Sequence, residues 1–307
     1  MAIPWGIIMS TMLKKLVQVC TEDKFSKRNI RERVIKDIKD TELGEVFAKC
    51  VDRLDSYMSK DYWESKNKRT AWLRNSEITT ANIVAELFIA VVPVETPEPI
   101  QNTAAKLGRK LEFPDVFDGV RTGAEILAVC NGLGLYELFK PGVKGQYLSL
   151  QCNFQLSKET RQFINETQFL PPMVVPPNEV TSNNNCGRLT LEDSVLLGNQ
   201  THHNEQVCLD VLNKLNNIGF KLNIDMLNKP HPSKSQLTGI DKKNFDQYVK
   251  ECTEVQQYLL NEDNNFWFVH QYDFRGRIYA SGYHINYQGT QYNKSIIELA
   301  TPEVIEI

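Results

Sequence analysis

The stretch Asp273-Phe274-Arg275-Gly276-Arg277-Ile278-Tyr279 sets two arginines on either side of one glycine near the end of a 307-residue sequence. The residues before it, 265–272, are Asn-Phe-Trp-Phe-Val-His-Gln-Tyr, a run that predicts a buried strand. Glycine allows a tight or left-handed backbone that can lie close to a ligand. Arginine suits phosphate because its planar guanidinium stays charged and can bond it bidentately. The sequence therefore predicts an anion-binding turn at the end of a strand.

Two neighbouring side chains fit such a site. Asp273 is placed to orient one guanidinium through an ion pair, which leaves the other for a ligand, and Tyr279 offers a flat ring that can stack on a base or sugar. A glycine between arginines is also typical of a solvated turn, so the turn alone does not decide between the two. Between positions 274 and 294 every formally charged residue is basic: Arg275, Arg277 and Lys294.

The wider sequence resembles the opening of the palm in single-subunit, phage-type RNA polymerases, a family that includes the mitochondrial enzymes. Four stretches carry the resemblance in order over about 35 residues: 266–268 (Phe-Trp-Phe), 272–280 (Tyr-Asp-Phe-Arg-Gly-Arg-Ile-Tyr-Ala), 286–289 (Asn-Tyr-Gln-Gly) and 294–300 (Lys-Ser-Ile-Ile-Glu-Leu-Ala). In that family a D-x-x-G-R element grips the template strand and the RNA–DNA hybrid beside the active site. The resemblance implies that nucleic acid is bound by six residues: Asp273, Arg275, Gly276, Arg277, Tyr279 and Lys294.

Length and composition are those of a soluble globular protein. The chain has room for about two domains and a substantial core, and 41% hydrophobic with 24% charged residues is ordinary. A net charge of −3 argues against a surface that coats DNA as a whole. We therefore expect nucleic acid to bind in a local groove, with further positive surface supplied by another chain.

The seven cysteines are scattered, odd in number and never spaced as C-x-x-C, which is typical of reduced thiols and predicts no zinc site. The apolar residues 1–12 are too few and lack a preceding charge, so we expect no signal peptide. No apolar run reaches 18 residues, so no membrane span is predicted. The expected location is cytoplasmic and, from the resemblance, inside an infected bacterial host.

Helices are predicted over residues 1–75, which are mildly basic. The basic run 66–69, with Trp63 and Trp72 nearby, fits either a nucleic-acid patch or a charged helix face with both tryptophans in the core. Residues 83–94 are almost continuously apolar and fit a buried helix or a strand equally well.

A helix after the prolines of 93–99 is predicted to begin at Asp115 or Asp118. The turn residues 141–145 are followed by alternating apolar and polar residues over 148–156, which predicts a β-hairpin. In the polymerase family a hairpin in this region inserts at the upstream edge of the melted duplex.

Residues 171–177 (Pro-Pro-Met-Val-Val-Pro-Pro) resemble a proline-bracketed run of the family's N-terminal domain, although the family's following Trp-Thr pair is absent here. A helix is predicted from about His203 to Ile218, and His202 and His203 have no partner ligands at metal-binding spacing. A second, long helix is predicted to be capped by Asp241.

The predicted fold is α+β: a mainly helical N-terminal domain with a β-hairpin (1–227), a reduced helical thumb (228–262) and the first part of a polymerase palm (263–307). In the family, nucleotidyl transfer uses two Mg²⁺ ions held by aspartates on later palm motifs, with a lysine and a tyrosine on a fingers helix. The sequence ends at Ile307 before such motifs. We therefore predict no catalytic residue and no metal ligand in this chain, with Mg²⁺ held by a partner.

This layout resembles the small subunit of the split, two-chain RNA polymerases of some lytic bacteriophages, whose larger subunit carries the fingers and the catalytic palm. The expected ligands are template DNA and product RNA, and the apolar tail 304–307 is expected to be completed by the larger subunit. Two alternatives stay open at this point. The first is a stand-alone nucleic-acid-binding or regulatory protein derived from a polymerase N-terminal region. The second is a fragment of a longer single chain.

Overall fold

A computed structural model describes residues 5–39, 41, 43–94, 96–140, 148–198, 205, 207–229, 231–232 and 239–302, with backbone alone at 5–10, 39 and 239–241. The chain divides into two compact units. The helical unit is Lys27–Asn165, and the terminal unit combines Met1–Ser26 with Glu166–Ile307. Helices and small antiparallel sheets occur together, so the predicted α+β class is confirmed. The assignment to a polymerase N-terminal domain, thumb and palm stays a prediction.

The elements, in chain order, are α1 (Trp5–Lys24), α2 (Lys27–Lys39), α3 (Leu43–Ser59), α4 (Glu64–Asn75), α5 (Thr80–Val91), β1 (Glu98–Pro99), α6 (Ile100–Gly108), α7 (Val116–Val129), β2 (Tyr136–Phe139), β3 (Ser149–Cys152), α8 (Lys158–Glu166), α9 (Leu209–Asn216), β4 (Gly219–Leu222), α10 (Ile224–Leu227), α11 (Gly239–Asn261), β5 (Phe266–Trp267), β6 (His270–Tyr272), β7 (Ile278–Ala280), α12 (Gln291–Ser295) and β8 (Ile297–Leu299). None of the helices in these described ranges is long and apolar enough to cross a membrane.

The core of the helical unit is built around α5, which settles the open choice at 83–94 in favour of a helix. The Thr79 hydroxyl caps α5 by accepting the backbone N–H of Asn82 at 3.2 Å. The residues that α5 buries recur with the helical period: Ile83, Val84, Leu87, Phe88 and Val91.

Helices α6 and α7 cross at very short range, a feature that we did not predict. Asp115 caps α7, as expected, by accepting the N–H of Phe117 at 2.8 Å. A Cβ added at Gly123 would lie 2.5 Å from the carbonyl oxygen of Ala104, which is closer than atoms can pack. Gly123 therefore lets the two backbones touch, and no larger residue fits there without moving a helix.

We predict that Gly123→Ala lowers the free energy of unfolding by about 1–3 kcal/mol, because the new methyl group overpacks the helix crossing. Gly44→Ala is the matched control, since a Cβ there meets nothing within 4 Å and alanine is the better helix former. Urea denaturation of both variants checks the prediction. Equal stability of the two variants would show that α6 and α7 do not cross this closely.

The predicted hairpin is present, since β2 and β3 pair antiparallel from Tyr136–Cys152 to Phe139–Ser149. Strand β1 pairs with the other edge of β3. The strand predicted over 148–156 ends early, at Cys152. The N–H of Asn153 still bonds the Leu135 carbonyl at 2.9 Å, but the N–H of Phe154 bonds the Cys152 thiol at 3.4 Å. The predicted turn at 141–145 lies outside the described residues.

The basic run of α4 is tied into an ionic cluster. Arg69 and Lys66 both pair with Glu125 of α7, and the Lys66–Glu125 distance is 3.4 Å. Trp63 and Trp72 are 63% and 40% exposed, so the prediction that they lie in the core is wrong. Two of the cationic side chains of α4 therefore form ion pairs with α7.

The terminal unit contains a three-stranded sheet, in the order β5-β4-β8, and the separate hairpin β6–β7. The single strand predicted over 265–272 is broken into β5 and β6, because its two halves pair with different partners. Trp267 exchanges two backbone hydrogen bonds with Met173, and Val269 accepts one from Ser281. Met173 lies in the proline-bracketed run at 171–177, which is buried rather than exposed at its centre.

Two predicted helices differ in their bounds. Helix α9 begins only at Leu209 and ends at Asn216, so it is shorter than the helix predicted from about His203 to Ile218. Helix α11 begins at Gly239, so Asp241 is inside the helix and not its cap. His202, His203 and the tail 304–307 lie outside the described residues.

Within the terminal unit, the buried carboxylate of Glu22 holds helix α1 to residues 189–191. It accepts the backbone N–H groups of Leu189, Thr190 and Leu191 at 3.1, 2.6 and 3.3 Å. The side chain of Gln18, one turn earlier, donates to the same carboxylate at 2.9 Å. A charge buried without water is stable only when it is bonded in this way.

Candidate nucleic-acid interface

The two guanidiniums stand on the turn of the β6–β7 hairpin. The strands pair from His270–Ala280 to Tyr272–Ile278. The Gly276 N–H bonds the Asp273 carbonyl at 3.0 Å, and the Asp273 N–H bonds the Arg277 carbonyl at 2.8 Å. Gly276 has φ +77°, the left-handed value that this kind of bulged turn requires. The predicted need for glycine here is thus one of backbone conformation.

The Asp273 carboxylate organises the whole turn. Its Oδ1 accepts the backbone N–H groups of Arg275 and Arg277 at 2.9 and 3.0 Å. Its Oδ2 accepts Nε and Nη2 of Arg277 at 2.8 and 2.7 Å and lies 3.4 Å from Nε of Arg275. We predicted one ion pair and one free guanidinium. The structure has both guanidiniums on the same carboxylate, with Arg277 held more closely.

The ionisation of this pair follows from the contacts. Desolvation on its own would raise the pKa of the Asp273 carboxyl, but the hydrogen bonds from the backbone and guanidinium of Arg277 outweigh it and lower that pKa. The bond from Asp273 likewise raises the pKa of Arg277. Both groups are therefore charged over the whole physiological range.

The turn still presents positive charge to solvent, since the side chains of Arg275 and Arg277 are 55% and 52% exposed. The Arg277 guanidinium carbon lies 5.4 Å from the ring centroid of Tyr279, and that of Arg275 lies 5.3 Å from the ring of Phe274. Phe274 is 85% exposed at the tip and was not among our predicted site residues. The hairpin thus alternates cations with accessible rings.

Five of the six predicted site residues lie in this one hairpin. Lys294 does not: it is on α12, where its side chain is exposed. The role of all six residues in binding nucleic acid stays a prediction.

Below the turn, β6 is anchored by a buried histidine. The backbone N–H and the Nδ1 of His270 both lie 2.9 Å from the Asn216 side-chain oxygen, and its Nε2 lies 2.9 Å from the Tyr287 hydroxyl. Because the amide oxygen can only accept, the ring proton is on Nδ1, and Tyr287 donates to Nε2. Burial lowers the pKa of His270 to about 4. The neutral ring is thus part of the fold.

We predict that stability falls as the pH decreases from 6.5 to 4. Unfolded His270 binds a proton near pH 6.5, whereas the folded ring binds one only near pH 4, so acid favours the unfolded chain by up to about 3 kcal/mol. Urea denaturation across this range measures the loss. An NMR titration of the His270 ring in the folded protein is the direct control, and an apparent pKa near 6.5 would contradict the prediction.

The described part of the chain contains no group of three or more His, Cys, Asp or Glu side chains that could hold a metal ion.

Comparison with known proteins finds two relatives that are named as RNA polymerases. No family model matches the chain. It is 25% identical over 181 residues, 54% of this chain and 21% of the relative, to a "Probable DNA-directed RNA polymerase" of Gelasinospora sp. (strain G114). It is 27% identical over 168 residues, 43% of this chain and 18% of the relative, to a protein of the same name from Podospora anserina. The chain spans about a fifth of the length of these curated relatives, and their names support a polymerase-related role.

Proposed function

We propose that the chain is the small subunit of a heterodimeric phage DNA-directed RNA polymerase and grips the template strand and RNA–DNA hybrid with the β6–β7 hairpin. The observation that carries the proposal is the Arg277 guanidinium, which Asp273 and Tyr279 fix while half of the side chain stays exposed. The similarity to proteins named as DNA-directed RNA polymerases supports it.

The geometry suits a phosphate. Asp273 binds Arg277 through Nε and Nη2, and a guanidinium has five N–H donors, so donors are left over for a phosphate. Nothing lies within 4 Å of where a Cβ of Gly276 would be, which leaves room for a nucleic-acid backbone beside the turn. Tyr279, exposed on the same hairpin, supplies a ring for a sugar or base, and Lys294 supplies a further phosphate contact.

In this proposal the larger subunit supplies the fingers and the catalytic palm, and its aspartates hold Mg²⁺. When bound there, the ions stabilise the charge that develops on the transferred phosphate. The small subunit contributes the N-terminal domain (1–227), a reduced thumb (228–262) and the start of the palm (263–307). Its own residues position template and hybrid.

We predict that Arg277→Ala weakens binding of a synthetic RNA–DNA hybrid roughly 10- to 100-fold, because a charge-assisted phosphate bond is lost. The slope of log affinity against log salt should fall by about one unit. Elongation by the assembled enzyme should be strongly reduced while the subunits stay together. Arg121→Ala is the matched control, because Arg121 is a 70% exposed arginine on α7. Unchanged hybrid binding and near-normal elongation by Arg277→Ala would refute the role.

The two-chain proposal has a separate test: transcription of a single-stranded template with Mg²⁺ and the four nucleotides. We expect no nucleotide incorporation by the purified chain and full activity once the copurifying larger polypeptide is added. Incorporation by this chain alone would contradict the proposal. Hybrid binding by a chain with which no larger polypeptide copurifies would instead favour the stand-alone nucleic-acid-binding protein.

A further inference from the structure

The outer edge of β7 is closed by a side chain and not by another strand. The Ala280 N–H donates to Oε1 of Gln288 at 2.8 Å, and Nε2 of Gln288 donates to the Ile278 carbonyl at 3.2 Å. These are the donor and the acceptor that one residue of an added parallel strand would bond. One amide therefore reproduces both bonds of a strand residue.

Gln288 is itself held in place by Asn286. The Asn286 side-chain oxygen accepts the N–H of Gln288 at 2.8 Å. Its Nδ2 donates to the carbonyls of Ala280 and Gly282 at 3.0 and 2.9 Å. A Cβ on Gly282 would lie 2.3 Å from the Ile285 carbonyl oxygen, so the loop folds tightly back on itself. The two amides and the end of β7 therefore form one hydrogen-bonded unit.

This hydrogen-bonded unit surrounds Tyr279 of the candidate interface. Ile278 and Ala280, the two residues bonded by Gln288, stand on either side of Tyr279, and the Tyr279 ring packs on the Arg277 guanidinium. Strand β7 has three residues, and β6 is the one strand that pairs with it among the described residues. A hairpin of two short strands is marginal in water by itself. The bonds from Gln288 to the outer edge of β7 therefore matter for the geometry of the hairpin.

We propose that Gln288 is a positioning residue of the nucleic-acid interface, whose amide clamps the edge of β7 and thereby fixes Tyr279 and Arg277 toward the hybrid. This inference rests on the proposed function. Gln288 is exposed, so its loss leaves the core intact. It touches no phosphate in this scheme, and it acts only through the strand.

The test measures binding of a fluorescent RNA–DNA hybrid to the full chain for Gln288→Ala and Gln288→Met. We expect both to bind about 3- to 10-fold more weakly, as for the loss of one or two hydrogen bonds, with an unchanged salt slope because no charge is removed. Amide exchange of Ala280 should accelerate in both. Gln101→Ala, which removes an exposed amide on α6 of the helical unit, is the matched control and should alter neither quantity.

The outcomes separate the two proposals. If Arg277→Ala weakens hybrid binding and the Gln288 variants bind like the wild type, the positioning role is wrong and the proposed function survives. If Arg277→Ala has no effect, the proposed function fails, while faster Ala280 exchange in Gln288→Ala still supports the clamp as a structural feature. Unchanged exchange at Ala280 would overturn the clamp itself.

Discussion

One carboxylate determines both the shape and the charge of the candidate interface. Asp273 accepts two backbone N–H groups that set the turn, and it pairs with the guanidiniums of Arg275 and Arg277. The backbone bonds place the arginines, and the ion pairs keep them from rotating freely. Because one carboxylate does both, through Oδ1 and Oδ2, the turn cannot change conformation without also moving its positive charge.

The hairpin is enclosed along both of its edges. On the β6 side, Tyr272 exchanges backbone hydrogen bonds with Val195 and Leu197. On the β7 side, Gln288 closes the edge. Neither edge offers a row of unpaired groups to an incoming strand. A ligand must therefore meet the tip, where Phe274 and the guanidiniums are exposed, or the face that carries Tyr279.

Local chemistry could be predicted from the sequence, whereas distant pairing could not. The turn at 273–277 was predictable because its bonds join residues at most four apart. The break between β5 and β6 depends on their pairing with different strands, of which β4 lies more than forty positions away, and no pattern within 265–272 indicates it. The role of Gln288 could not be predicted either, because the sequence of a polar loop does not show whether an amide faces water or a strand edge.

The helix crossing at Gly123 is a further feature that could not be predicted from the sequence. A glycine inside an apolar helix costs helix propensity, which is a weak signal unless the facing backbone is known. Ala104 supplies that backbone, and it lies on another element. The exposure of Trp63 was missed for a related reason: Lys66 and Arg69 turn inward to Glu125, against the usual preference of charges for water.

The bond between Glu22 and residues 189–191 has a consequence for how the protein is made. Helix α1 is synthesised before residues 189–191, so the amides that hydrogen-bond its buried carboxylate follow about 170 residues later. The helical unit, Lys27–Asn165, is complete before that and can fold on its own contacts. During translation the Glu22 carboxylate and the apolar surface of α1 therefore lack their partners until residues 189–191 have been synthesised. That interval is when a nascent chain of this architecture is most exposed to chaperones and proteases.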